Sequence, residues 1–168
     1  LSEYSALILP GQRILSEKEC ESVRRFVSEG GALLATCETA SRGNDNAPLK
    51  NFSISDVLGV KYLESCDTAN CYLRMKSKDT RHGIPAMDIQ VGGKYVRVKT
   101  TTAKTLLELV PPYEGLKTGT PPPAEFPEGP GVTVNSYGKG IVIYCAAQLF
   151  DAYYRISTPV LRNLALWM

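Results

Sequence analysis

The sequence predicts an α/β domain organised around one strand–helix–strand unit, and three neighbouring features predict it. Residues 4–9 (Tyr4, Ser5, Ala6, Leu7, Ile8, Leu9) form a short, almost wholly apolar run closed by Pro10 and Gly11. A strand buried on both faces of a parallel sheet reads this way, so a central strand is expected. Ser16 followed by Glu19 is a capping box: the Ser hydroxyl can accept from a first-turn amide while the Glu reaches back to the cap. The helix is expected over 17–29. Cys20, Val23, Phe26 and Val27 fall on one face, with Lys18, Glu21, Arg25 and Glu29 mostly opposite, and Gly30 and Gly31 supply a left-handed C-terminal cap. Residues 32–36 form a second buried strand, and a helix of this length between two buried strands implies a parallel crossover.

Downstream, a polar loop covers 42–50, and 54–60 read as a short helix stopped at Gly59. From about residue 70 the period changes to two, in 71–75, 87–91 and 95–99. The last two runs flank Gly92 and Gly93, which predicts a hairpin inserted into the parallel sheet or laid against it. Residues 105–110 suit another strand, and 111–130 hold seven of the eleven prolines, an extended surface loop. Residues 132–134 and 141–145 flank the turn Tyr137, Gly138, Lys139, Gly140, a second hairpin. Ser157 or Thr158 as N-cap, with Pro159 as first helical residue, opens a last helix through Leu161, Leu164 and Trp167.

A chain of 168 residues with 43% hydrophobic content can bury one ordinary core, so a single domain over 1–168 is expected. Nineteen basic against seventeen acidic side chains leave a formal charge of +2, too small and too evenly scattered for a nucleic-acid footprint. No apolar run approaches the roughly 18 residues of a bilayer span, and no membrane partner is expected. The chain opens on Leu1 rather than Met and closes on an apolar run at 164–168, as a fragment of a larger protein would. Five cysteines (Cys20, Cys37, Cys66, Cys71, Cys145) match neither a zinc pattern nor a disulfide framework. Reduced thiols are expected, which slightly favours a cytoplasmic compartment; a Cys66–Cys71 bridge and a secreted or periplasmic parent stay open. No metal or cofactor is expected.

Open α/β sheets hold ligands and nucleophiles just after a buried parallel strand, where strand C-termini and the next helix leave a crevice. Cys37 occupies that place. A thiolate nucleophile needs a base within reach, and the single histidine, His82, lies beside the hairpin region with no His-x-Glu pattern following. Cys37 and His82 are the only catalytic candidates, and a packing role for Cys37 is the expectation. The same crevice offers Glu38, Thr39, Ser41 and Arg42 as ligand-binding candidates. The carboxylates Asp45, Asp56, Glu64 and Asp67 carry no spacing that would mark a glycosidase pair. Gly138, Lys139 and Gly140 lie between two strands without the full phosphate-loop spacing. Among the aromatics of the second half, Tyr153 and Tyr154 with Arg155, between the last strand and the last helix, are the candidate interface cluster.

Three segments together resemble a family. Tyr4 to Pro10, then Leu15 and Ser16 through Thr36, are similar to the middle of the beta-galactosidase trimerisation domain, a flavodoxin-like relative of the class I glutamine amidotransferases. Phe52 to Val60 resembles that family's helix ending in Leu-Gly-Val, and Tyr137 to Tyr144 resembles its closing hairpin, while 61–130 match loosely. The resemblance implies a flavodoxin-like, glutamine amidotransferase-like parallel sheet with helices on both faces plus antiparallel hairpins, lacking a first strand, helix and strand. It implies a non-catalytic accessory domain that follows the catalytic barrel of a bacterial glycoside hydrolase and contributes to a homo-oligomer. In the amidotransferases the Cys elbow is flanked by glycines, whereas Cys37 has Thr36, Glu38 and Thr39 as neighbours. The alternatives are a sugar- or small-ligand-binding module in the crevice after Thr36, and a Cys-dependent amidotransferase-like enzyme.

Overall fold

The computed structural model describes residues 3–75, 84, 86–115 and 120–168. In chain order the elements are β1 (Ala6–Leu9), α1 (Glu17–Ser28), β2 (Ala32–Thr36), α2 (Ser55–Leu58), β3 (Val60–Asp67), β4 (Tyr72–Met75), β5 (Ile89–Gln90), β6 (Lys94–Thr100), β7 (Lys104–Val110), β8 (Gly129–Tyr137), β9 (Gly140–Cys145), α3 (Leu149–Ile156) and α4 (Pro159–Trp167).

The opening unit forms as its residues require. Both halves of the capping box are made, Ser16 accepting from the Glu19 amide and the Glu19 carboxylate accepting from the Ser16 amide at 2.7 Å. At the other end Gly31 N–H donates to the Phe26 carbonyl and Gly30 N–H to Val27, with Gly30 at φ 120°. These two bonds are the Schellman arrangement, which satisfies carbonyls that a helix end otherwise leaves orphaned. Cys20, Val23, Phe26 and Val27 are the buried face. β1 and β2 then pair in parallel from Ala6 opposite Ala32 to Leu9 opposite Ala35.

β1 is nevertheless an edge strand and not the central one that its composition predicts. Its pairing stops at β2, its residues alternate between exposed and half-buried, and Ile8 is 52% exposed. Four apolar residues cannot say whether one face or two will be covered.

The main sheet runs β1-β2-β9-β8-β7-β4-β5. Only β1 with β2 and β2 with β9 are parallel; every pairing from β9 to β5 is antiparallel. The expected parallel sheet is thus corrected to a mixed one. The cause is local: the two-residue turn Gly138-Lys139 between Tyr137 and Gly140 sends the chain straight back, whereas a parallel return would need a crossover. That turn seats on the end of α1, where Lys139 N–H donates to the Ser28 carbonyl at 3.0 Å. A Cβ on Gly140 would fall 2.2 Å from the Val27 carbonyl oxygen and 2.4 Å from that of Gly31, so the closeness demands glycine.

The hairpin expected around Gly92 and Gly93 does not form. β5 pairs with β4 in the main sheet, whereas β6 pairs with β3 in a separate two-stranded ribbon. Gly93 is there for approach instead of for a turn: its carbonyl accepts from Thr68 N–H at 2.8 Å, and a Cβ would lie 2.1 Å from the Thr68 oxygen. The short helix predicted over 54–60 stops at Gly59, left-handed at φ 68°, and Val60 already belongs to β3.

Two apolar clusters form the core, and β9 serves both by strand alternation. Val142 and Tyr144 join α1, α2, β2 and the β3–β6 ribbon. Cys145 and the partly buried Ile143 join β4, β7, α3 and α4. Helices therefore do lie on both faces, α1 and α2 in one cluster, α3 and α4 in the other. The described part of the proline-rich segment is fastened to the sheet. Asn70 and Tyr72 donate to the Pro121 carbonyl. Arg74 grips the Asp88 carboxylate with two bonds, at 2.7 and 2.8 Å, and donates to the carbonyls of Ala124 and Glu125.

Candidate functional site: the elbow after β2

β2 delivers Cys37 to a sharp turn with φ at 49°, and Ala40 follows at 58°. A non-glycine residue in this region is held there by its surroundings. Cys37 N–H donates to the Cys145 carbonyl at 2.7 Å, and the Tyr144 hydroxyl donates to the Cys37 carbonyl at 2.7 Å. The backbone thus bends sharply at Cys37 without a glycine, fixed by two bonds to the end of β9. The Cys37 side chain is fully buried. Burial first, then the neighbouring Glu38 charge, pushes its thiol up to about 12. Thiolate chemistry needs the opposite shift. His82 lies outside the described residues.

Of the four crevice candidates Glu38, Thr39 and Ser41 are buried side by side, whereas Arg42 is half-buried. Glu38 is 8% exposed; its carboxylate takes a bond from the Ser65 hydroxyl at 3.0 Å and pairs with Lys94 at 2.9 Å and, more loosely, Arg13 at 3.9 Å. Burial would raise the Glu38 pKa, but bonds from Lys94 and Ser65 and the charges of Lys94 and Arg13 outweigh it, so the acid titrates below its ordinary value. The Thr39 hydroxyl bridges the carbonyls of Thr36 and Leu9, tying the ends of β2 and β1 together. Ser41 is buried, with its amide on the Glu38 carbonyl at 3.1 Å. Arg42 turns away to the Asn46 carbonyl at 2.8 Å. Beside the place where a ligand would enter an open α/β sheet, the Glu38 carboxylate is already paired within the protein.

Lys94, Ser65 and Tyr144 complete this site, and sequence reasoning missed all three. Lys94 and Ser65 come from the β3–β6 ribbon, whose pairing no local pattern announces. Tyr144 alone gave a signal, as the one polar-tipped aromatic inside the apolar run of β9.

The cluster Tyr153, Tyr154 and Arg155 lies within α3, a helix that the reading of this stretch as a connection omitted. Tyr154 is 86% exposed, and Arg155 pairs with Asp151 at 2.9 Å, one helical turn back. All five cysteines are free, Cys66 and Cys71 included. Among the described residues no group of three or more His, Cys, Asp or Glu is placed to hold a metal, and no helix is long and apolar enough to cross a membrane.

The family model described as the beta-galactosidase trimerisation domain matches residues 1–165. Beta-galactosidase BbgII from Bifidobacterium bifidum is 30% identical over 152 residues, covering 87% of this chain and 20% of that protein. Among solved structures, alpha-L-fucosidase isoenzyme 2 from Paenibacillus thiaminolyticus superposes with a TM-score of 0.79 at 22% identity, over 99% of this chain and 24% of the other. The beta-galactosidase from Bacillus circulans sp. alkalophilus does so with a TM-score of 0.75 at 20% identity, over 99% and 22%. The chain therefore spans about a fifth to a quarter of the length of these relatives. With a mixed sheet, an internally neutralised elbow and a family match running almost end to end, this chain belongs to the beta-galactosidase trimerisation domain family.

Proposed function

We propose that this chain is the non-catalytic accessory domain of a larger glycoside hydrolase, adjoining its catalytic barrel and holding copies of the enzyme together. The family match over 1–165 carries the reading. The chemistry of the elbow supports it: a buried thiol pushed to about 12 is a poor nucleophile, and Glu38 beside it is already paired with Lys94. Tyr153, Tyr154 and Arg155 on α3 are the part of the surface assigned to contacts between copies, since aromatic and arginine side chains dominate interface energetics.

The test is the assembly state of the parent enzyme with and without this domain, measured by sedimentation velocity. Removal is expected to give a slower-sedimenting enzyme whose barrel still binds substrate. An unchanged assembly overturns the reading.

The unit β1, α1, β2 and β9, with its positive-φ elbow, also supports descent from a flavodoxin-like, glutamine amidotransferase-like core whose nucleophile position now serves packing. Replacing Cys37 by Ser or Ala would then alter stability and leave the parent's glycosidase kcat unchanged; a fall in kcat with the fold intact would speak against it.

A further inference from the structure

The β3–β6 ribbon is gripped on each face by a glutamate, and the two glutamates come from different parts of the chain. On the face that joins α1 and α2, the Glu38 carboxylate divides its oxygens between the strands. Oε1 accepts from the Ser65 hydroxyl of β3 at 3.0 Å, and Oε2 pairs with Lys94 of β6 at 2.9 Å. Strand alternation turns the next residue, Tyr95, the other way. Its ring packs in the cluster of β4, β7, α3 and α4, and its hydroxyl donates to Glu128 Oε2 at 2.8 Å. Arg97, on the same face, lies 3.7 Å from Glu128 Oε1 and pairs with Glu64 of β3 at 2.7 Å. Glu128 closes the proline-rich segment: its amide donates to the Leu109 carbonyl at 2.8 Å, and β8 begins at the next residue.

A two-stranded ribbon has little stability of its own and takes its order from what it packs against. Here β6 straddles both cores, with Val96 and Val98 in one cluster and Tyr95 in the other. Its backbone is paired on both edges. One edge meets β3, and on the other Val96 N–H donates to the Ala146 carbonyl at 2.8 Å while the Lys94 carbonyl accepts from Gln148 N–H at 3.2 Å. Consecutive residues of a strand bonded on both edges share their anchorage, so the base of Lys94 cannot shift without that of Tyr95.

We infer that the ribbon is a strap coupling the elbow after β2 to the proline-rich segment, so that the Glu38 grip sets how firmly the residues before β8 are held. The position where an open α/β sheet places a ligand or nucleophile serves in this chain as the anchor of that strap. The coupling runs through a contiguous bonded path inside the chain, is reciprocal, and stands apart from the oligomerisation reading above.

Hydrogen exchange on the 168-residue chain tests the coupling, with thermal melts to confirm that each variant folds. The segment is reported by the amides of Tyr113, Ala124 and Glu128, which donate to the Pro122, Pro111 and Leu109 carbonyls; the elbow is reported by those of Cys37 and Ala40, which donate to Cys145 and Gln12. The amides of α1 are the reference. Glu38→Gln keeps the shape of the side chain and removes its charge, and is expected to speed exchange at the three segment amides at least threefold more than in α1. Tyr95→Phe keeps the ring and removes the hydroxyl, and is expected to do the same at Cys37 and Ala40. Ser65→Ala, which releases only β3, takes the place of Glu38→Gln if that variant does not fold. Wild-type rates at the distant amides of a folded variant overturn the strap by making each grip local. Rates that rise there by the same factor as in α1 overturn it equally, by reducing the effect to a loss of global stability.

Discussion

The two ends of the main sheet are held by different means. At the parallel end, β1, α1 and β2 are built from signals within a few residues of each other: a capping box, an amphipathic face and a glycine pair. At the antiparallel end, the described residues of the proline-rich segment form no helix or strand of their own before β8. The segment is held by side chains reaching from β4 to backbone carbonyls about fifty residues away, as Arg74 does to Ala124 and Glu125, and by Tyr95 of β6, which donates to the Glu128 carboxylate. At the parallel end Glu38 is paired with Lys94; at the antiparallel end Tyr113 and Phe126 stay exposed. A region that satisfies its polar groups internally gains order and gives up contact surface, and one fastened from below keeps its outer face exposed.

The junction between the two ends is the most sensitive point. Gly140→Val should cost about 3 kcal/mol or more, because the new side chain meets the backbone of α1, which cannot yield without moving the helix. A thermal melt checks this, and a loss under about 1 kcal/mol would mean that the hairpin turn is not seated on α1. Next comes a paired test. Arg74 and Arg24 each grip an aspartate with two bonds, but the Arg74–Asp88 side chains are less exposed, at 29% and 19%, than those of Arg24 and Asp56, at 35% and 45%. Arg74→Met should cost about 2 kcal/mol and speed amide exchange across 120–128, whereas Arg24→Met should cost about 0.5 kcal/mol, solvent having already weakened that pair. Equal losses from the two would erase the distinction between the ends.

Smaller still is the cap. Ser16→Ala should lower stability by about 1 kcal/mol, with exchange rising first at the start of α1. The last prediction concerns pH. Glu38 titrates below its ordinary value of 4.5 in the folded chain, so folding draws stability from its ionised form. That contribution is fully present above the unfolded pKa and is lost as pH falls through the folded one. Denaturation midpoints followed downward from pH 5 should fall less steeply for Glu38→Gln than for wild type. Parallel slopes would show that the Glu38–Lys94 pair contributes nothing to the fold.

What could be read from the amino acids follows the same division. Ser16, Glu19, Gly30 and Gly31 announce α1 because each acts within one helical turn of itself, and Tyr137 to Gly140 announce the second hairpin because two residues set its geometry. The edge position of β1 was illegible, since four apolar residues look alike with one face covered or two. Gly92 and Gly93 misled for a physical reason: Gly93 is demanded by the approach of Thr68, which local pattern cannot separate from a turn. The elbow was legible in position and not in content. Cys37 and Glu38 could be placed after β2, but Lys94 and Ser65, which neutralise Glu38, arrive through a ribbon whose strands pair at long range.

The thiols lend themselves to one practical use. Cys20, Cys37, Cys71 and Cys145 are sealed in the two cores, and Cys66 on β3 alone is half open to solvent. A maleimide dye should therefore attach at one native position without any cysteine being added or removed. The remaining four become labelling clocks, each consuming reagent only as fast as its own core opens.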